Sequence, residues 1–410
     1  MNILLADMIL TMDPTRPLVR NGAVVFDENI VEVTDDQSAI AAWKDSALVI
    51  EGGKNSVALP GLINAHTHLE FSANSTDLTY GSFMGWLSSV MEKREKLIAA
   101  SDRASLDGVL EKMLRGGTTS IGAISSYGFD LESLANAKQR VVYFNEMIGS
   151  NPAALDVLFA AFQTRLEKSD EYRNDRFTPG IAIHSPYSVH PVLLRKTIAL
   201  ARSRHAPISA HFMESMSERK WLTSGTGEFR PFFEKLFKLT TPQMSGAEFL
   251  EAFADTHALF VHCVRASDEE LDTIAKMGSK IVHCPVSNRL LGCGLLSLER
   301  LKNREIGFLT ATDGLSSNYS LNLFNELRSA LFMHEGLDLP LLARDLMRSV
   351  TDVAAKALGL NTGRLESDYA ADIALFRLPN AVMDDAMLYL HIILHAPETM
   401  GRVFINGESV

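Results

Sequence analysis

The chain has 410 residues, 46% of them apolar, and a formal net charge of −11 that is spread along the sequence rather than gathered in a tail. It is long enough for one large barrel with an accessory layer, and its charge argues against nucleic acid or an anionic membrane as the main partner. Its three cysteines, Cys263, Cys284 and Cys293, match neither a disulfide framework nor a Cys-x-x-Cys zinc site. The apolar start lacks a basic leader and contains Asp7 and Asp13, and no run approaches the ~20 apolar residues of a membrane span. These features predict a soluble, cytoplasmic protein acting on a small molecule.

From the N-terminus, short apolar runs at Ile3-Leu4-Leu5, Met8-Ile9-Leu10, Gly22 to Phe26 and Ile30 to Val33 read as strands punctuated by Asp-Pro and Asn-Gly turns. The same style returns at Asp372 to Phe376 and Arg402 to Gly407. Both chain ends are therefore expected to build one small β-sandwich domain, from residues 1–58 and 367–410. Between them, apolar strands ending at His68, Ile124, Glu146, His184, His211, His262, His283 and Asp313 alternate with helical patterns. The helices are predicted over Phe83 to Ile98, Ser105 to Leu114, Pro191 to Arg204, Asp268 to Met277 and Leu321 to His334. Strands alternating with helices signal a parallel sheet, so residues 59–366 are read as a TIM-type (β/α)8 barrel in an α/β fold.

The polar residues at those strand ends carry the chemistry. In Leu59-Pro60-Gly61-Leu62-Ile63-Asn64-Ala65-His66-Thr67-His68, side chains at i and i+2 of a strand point the same way, so His66 and His68 present two imidazoles to one point. An isolated His-x-His pair also occurs where nothing binds. Three further features favour a metal: His211 with Glu214 three residues on, His262 closing another apolar run, and Asp313 in Ala311-Thr312-Asp313-Gly314. All lie at C-terminal strand ends, where barrel active sites form. Three imidazoles and one carboxylate suit one Zn²⁺, with Fe²⁺ or Mn²⁺ as alternatives, and such an ion brings the ionisation of water near pH ~7 from ~15.7. Glu214 is placed to move a proton from that water to the substrate, and His262 and Asp313 to hold the nucleophile by hydrogen bonds.

These motifs, with Gly116-Gly117-Thr118-Thr119, His184-Ser185-Pro186-Tyr187, His283-Cys284-Pro285-Val286-Ser287-Asn288 and Ala371-Asp372-Ile373, resemble the amidohydrolase superfamily over nearly the whole chain. The resemblance is to its mononuclear branch of nucleoside and base deaminases and chlorohydrolases. It implies His66, His68, His211 and Asp313 as metal ligands, Glu214 as proton shuttle and His262 as partner of the attacking water. No lysine ends the segment Ile181 to Ser185, where binuclear relatives carry a bridging carboxylated lysine, so one metal ion is expected. His184 matches the position that meets the purine or sugar. His283, in its Pro-x-Ser-Asn context, reads as a loop brace.

In relatives acting on S-adenosylhomocysteine or methylthioadenosine, a glutamate beside the tryptophan after the first strand clamps the ribose diol; here Gly85 precedes Trp86. The segment Tyr143 to Pro152 also lacks an arginine for a homocysteine carboxylate. Together with Ser215 to Leu222, these departures look most like the members of the branch that deaminate aminodeoxyfutalosine in menaquinone biosynthesis, an adenine nucleoside extended at its 5′ side by a benzoate-bearing ketone. On that resemblance Trp86 and Phe83 line the aromatic end, Arg219, Lys220 or Arg230 meets the carboxylate, and Glu146 replaces the diol clamp. The alternatives are a methylthioadenosine, S-adenosylhomocysteine or adenosine deaminase, another base deaminase or chlorohydrolase of the branch, and a catalytically silent scaffold. A homo-oligomer is compatible with the sequence.

Overall fold

A computed structural model describes residues 1–74 and 76–410. Eight parallel strands, each paired with the next in chain order, form the central sheet: β6 (Leu62–His68), β7 (Thr118–Ser125), β8 (Arg140–Met147), β9 (Phe177–Ile183), β10 (Ile208–Phe212), β11 (Leu259–His262), β12 (Lys280–His283) and β13 (Phe308–Thr310). β7 and β8 are buried along their whole length, as expected of parallel strands covered on both faces. The sheet is brought nearly to closure by bonds from the segment just beyond β13 to β6. Asp313 N–H donates to the His66 carbonyl (3.2 Å), and Asn64 Nδ2 donates to Thr312 Oγ1 (2.7 Å). The expected (β/α)8 barrel is the fold.

The remaining strands come from both ends of the chain: β1 (Asn2–Leu10), β2 (Leu18–Phe26), β3 (Ile30–Thr34), β4 (Leu48–Glu51), β5 (Ser56–Pro60), β14 (Ile373–Arg377), β15 (Arg402–Ile405) and β16 (Glu408–Ser409). They form one continuous mixed sheet in which β5 pairs with β14, Pro60 opposite Ile373. The two runs read separately at Ile3 to Leu5 and Met8 to Leu10 are one strand, because β2 pairs with it in a single register from Asn2 to Leu10, passing over Asp7. Beneath this sheet Arg140, at the start of β8, donates through Nε to Asp372 Oδ2 (2.7 Å), and both side chains are almost wholly buried. That pair fastens the terminal sheet to the bottom of the barrel, leaving the C-terminal strand ends to the site.

Helix limits follow local chemistry. Pro191 opens the helix Pro191–Arg204 with His190 as its N-cap, and Ser267 with Glu270 forms a capping box at the start of Asp268–Lys276. The helix Phe83–Ala100 begins behind the Ser82 cap, which accepts from Gly85 N–H. No helix among the described residues is long and apolar enough to cross a membrane.

Candidate metal and proton-transfer site

The two-residue period of β6 turns Asn64, His66 and His68 to one face, and His211 and His262 arrive from the ends of β10 and β11. His68 Nε2 lies 3.3 Å from His211 Nε2. Asp313 Oδ1 is 3.6 Å from His66 Nε2 and 3.7 Å from His68 Nε2. Donor atoms of His66, His68 and Asp313 lie within 4.8 Å of one another, as do those of His66, His211 and His262. All the residues expected as ligands are brought together.

Both ring nitrogens of His66 are buried without a hydrogen-bond partner. An unpaired buried polar atom costs about 1–3 kcal/mol, so a histidine with neither nitrogen satisfied fits a site completed by a cation. The outer nitrogens elsewhere are engaged. His211 Nδ1 donates to the His184 carbonyl (2.7 Å) and His262 Nδ1 donates to Asn288 Oδ1 (2.9 Å), which directs their Nε2 atoms inward. On Asp313, Oδ2 accepts from Ser287 Oγ and Ser317 Oγ, each at 2.7 Å, leaving Oδ1 toward the imidazoles. Donors in this arrangement fit a divalent cation.

Electrostatics agree with neutral imidazoles facing an anionic carboxylate. Burial, with His66 adding to it, pushes His68 down to about 4; burial and the surrounding imidazoles also hold His211 well below its ordinary range. His262 is pushed down to about 4, chiefly by burial. Burial opposes ionisation of Asp313, but the imidazole of His66, 3.6 Å away, and the other facing histidines prevail and keep it well below the usual carboxylate range. Glu214 moves the other way. Burial first, then the Asp313 and Glu218 charges, raise it well above an ordinary glutamate, so it can hold a proton near neutrality.

Glu214 reaches the site through backbone strain rather than as a helical turn beyond His211. β10 ends at Phe212, Met213 takes a left-handed φ of 47°, and the next helix starts only at Met216. Its Oε1 then lies 3.6 Å from His262 Nε2. His262, Cys263 and Asp313 also have positive φ, at 69°, 50° and 57°. Such non-glycine outliers cost of order 1–3 kcal/mol each and cluster where geometry serves function. Asp313 itself lies three residues beyond β13, and Gly314 lets the chain pass His68, because an added Cβ would sit 2.8 Å from the His68 carbonyl oxygen.

The substrate-side candidates separate. His184 packs beside His211, with ring centroids 5.4 Å apart, and its Nδ1 meets Ser188 Oγ at 2.6 Å. Glu146 is fully buried on β8, accepts from Ser126 Oγ, and keeps Oε1 unpaired 3.8 Å from His211 Nδ1. Phe83 and Trp86 pack at 5.5 Å, and Trp86 Nε1 donates to the Ser316 carbonyl (2.8 Å) in the segment following Asp313. Phe83 continues through Tyr187 and Phe229, so an aromatic wall runs from His184 to the start of the Phe83–Ala100 helix. Arg219 stands outside this constellation, because its Nη1 donates to both oxygens of Glu270 at 2.7 Å. Lys220 and Arg230 are exposed.

Sequence reasoning missed the supports. Glu218 accepts from the backbone N–H groups of Met213 (3.0 Å) and Glu214 (2.8 Å), pinning the strained turn. The Pro285-Val286-Ser287-Asn288 segment, read as loop architecture, is a short helix whose Ser287 and Asn288 hold Asp313 and His262. The small polar residues after Pro285 were the available signal. Cys293 Sγ, 4.0 Å from Glu214 Oε1, left none.

A near-closed (β/α)8 barrel with four histidines, an aspartate and a buried glutamate at its mouth has the architecture of a hydrolase whose site can take a divalent metal. The amidohydrolase family model matches residues 57–410, and the chain belongs to that family. It is 44% identical to an aminodeoxyfutalosine deaminase of Nitratiruptor sp. over 96% of both chains. It is 34% identical to an adenosine deaminase of Helicobacter pylori, over 99% of this chain and 98% of that one. The crystal structure of H. pylori aminofutalosine deaminase in complex with methylthio-coformycin superposes with a TM-score of 0.94 at 33% identity, covering all of both chains. The chain is an aminohydrolase of this family.

Proposed function

We propose that this enzyme deaminates aminodeoxyfutalosine to futalosine, releasing ammonia, with one zinc ion held by His66, His68, His211 and Asp313. The observation that carries the chemistry is the buried pair Glu214 and His262, 3.6 Å apart beside imidazole nitrogens that lack any protein partner. The 44% identity over nearly the whole chain to an aminodeoxyfutalosine deaminase supports the substrate. Bound in this donor set, a divalent ion supplies the acidity that makes water a nucleophile near neutral pH.

The protein's own groups do the rest. Glu214, kept protonatable by burial, takes a proton from the attacking water and delivers it to the adenine ring nitrogen next to the amino-bearing carbon. His262, fixed by Asn288, presents a neutral Nε2 toward Glu214 and steers the water by a hydrogen bond. Asp313, anchored by two serine hydroxyls, orients it from the other side. The aromatic wall through Phe83, Trp86 and Tyr187 suits an extended 5′ substituent, whose binding energy holds the purine in line for attack. Zinc is favoured by the three-imidazole, one-carboxylate set. We place the enzyme in the cytoplasm, where its three free cysteines stay reduced.

The test compares kcat/KM for aminodeoxyfutalosine with that for adenosine, methylthioadenosine and S-adenosylhomocysteine at one metal loading. The extended nucleoside should exceed all three. Equal or better turnover of adenosine, the substrate named for the H. pylori relative, would replace the proposed substrate and leave the deaminase chemistry intact.

A further inference from the structure

The guanidinium groups of the buried and half-buried arginines described in this protein, Arg265 apart, each make at least one hydrogen bond to a protein partner. Arg140 has Asp372, Arg219 has Glu270, Arg348 has Asp352, and Arg165 and Arg328 donate to backbone carbonyls. Arg265 is the exception among the described residues. It is partly buried, its Nε is shielded from solvent without a hydrogen-bond partner, and its side chain enters no ion pair. Leaving a guanidinium half-desolvated and unpaired is costly, so such a group is commonly completed by an anion from outside the chain.

Its position says which anion. Arg265 lies three residues beyond His262, and its backbone N–H donates to the Met213 carbonyl (2.8 Å), which ties it to the turn carrying Glu214. The guanidinium packs on Gly294, where an added Cβ would sit 2.6 Å from Nη2, and whose φ of 106° favours glycine. Gly294 follows Cys293, whose Sγ is 4.0 Å from Glu214 Oε1. Gly292 in the same loop presses on the Gly81 carbonyl, where an added Cβ would come within 2.6 Å, and Gly81 leads directly into the helix bearing Phe83 and Trp86. The unpaired cation therefore sits on the loop that joins the proton-transfer group to the aromatic wall.

We propose that Arg265 is the specificity residue of this enzyme, receiving the carboxylate at the far end of the substrate's 5′ extension, the role that sequence reasoning assigned to Arg219, Lys220 or Arg230. This rests on the function proposed above and names the group that recognises the benzoate. A planar guanidinium meets a carboxylate with two parallel hydrogen bonds, which a lysine cannot reproduce in full.

The experiment measures the ratio of kcat/KM for aminodeoxyfutalosine to that for methylthioadenosine, which has no carboxylate, in wild type, Arg265→Met, Arg265→Lys and Arg219→Gln at equal metal content. In parallel it measures inhibition of methylthioadenosine deamination by free benzoate. Arg265→Met should lower the ratio roughly 10- to 100-fold, the range for hydrogen bonds to a charged group, mainly through KM. Arg265→Lys should recover part of it, Arg219→Gln should keep it, and benzoate inhibition should weaken in Arg265→Met. A wild type that shows the preference while Arg265→Met retains it in full overturns the role of Arg265 and leaves the substrate standing. A wild type without the preference removes the proposed substrate; the benzoate arm then decides Arg265 alone, and inhibition unchanged in Arg265→Met overturns it.

Discussion

Two groups of buried imidazoles lie in this barrel, and they differ in what the protein gives their inner nitrogens. Of His66, His68, His211 and His262, the last two are held from outside, by the His184 carbonyl and Asn288, while the inner atoms of the group converge and both nitrogens of His66 have no protein partner. His283, at the end of β12, instead places its Nε2 3.0 Å from Nε2 of His334, so each imidazole is the other's hydrogen-bond partner. The first arrangement leaves His66 unsatisfied by the protein, which suits a cation at its centre. The second pairs Nε2 with Nε2 inside the protein, although His283 Nδ1 is buried without a partner, and the pair joins β12 to the helix Leu323–Met333 as the brace its sequence context suggested.

Removing a ligand should separate the two groups most sharply. Asp313→Ala should lose both bound metal and turnover, exceeding the ~10²–10⁴-fold range of a lost general acid or base. Metal analysis of purified wild type should give one ion per chain, and two ions within about 4 Å, the spacing of two-metal catalysis, would break the mononuclear assignment. Glu214→Gln comes next. It should keep its metal and lose about 10²–10⁴-fold in kcat, because an amide cannot relay the proton. Near-normal turnover in metal-replete Glu214→Gln protein would remove that role.

Ser287→Ala should act more mildly, through Asp313. Losing one of the two hydroxyls on Oδ2 frees the carboxylate to rotate, and such supporting partners commonly contribute 10- to 100-fold in metal affinity; with Ser317 still bound, about 10-fold is expected. Titration of the apoprotein with zinc reads this directly. Unchanged affinity would mean that Ser317 and the closed backbone suffice.

What the sequence made legible follows the same division. The barrel and the convergence of the candidate ligands could be read because each strand is a short apolar run with a polar residue at or beside its end, and local spacing puts His66 and His68 on one face. Asp313 was readable as a strand-end residue although β13 stops at Thr310, because the backbone turn that carries it on to the site ends in the Asp-Gly pair. The supports were not legible. Ser287 meets Asp313 across 26 positions of chain and Asn288 meets His262 across the same span, so the small polar residues after Pro285 could mark a polar role but not the remote partner of either. Arg219 misled for the converse reason. Its position near Glu214 suggested the substrate, but its charge is consumed by Glu270, whose carboxylate also caps the next helix.

The smallest effect tests the second group of imidazoles. Burial pushes His334 down to about 4, and burial together with the His334 ring holds His283 well below its ordinary range, so both are neutral when folded. In the unfolded chain each returns to ~6.5 and binds protons more readily below that pH. Stability from the pair is therefore fully present above about pH 6.5 and is lost as pH falls toward 4, the direction linkage requires when the unfolded state takes up more protons. His334→Phe should lower stability at pH 7 by about 1–3 kcal/mol, the cost of leaving His283 Nε2 unpaired, with the metal content retained. Acid also strips ligands from the first group, so the quantity to compare is the difference in unfolding midpoint between wild type and His334→Phe across pH 7 to 4. That difference should shrink as the pH falls, because the variant has already lost part of what acid removes. A constant difference would mean that the two imidazoles do not titrate as a buried neutral pair, and the distinction from the metal-binding group would then rest on their hydrogen bond alone.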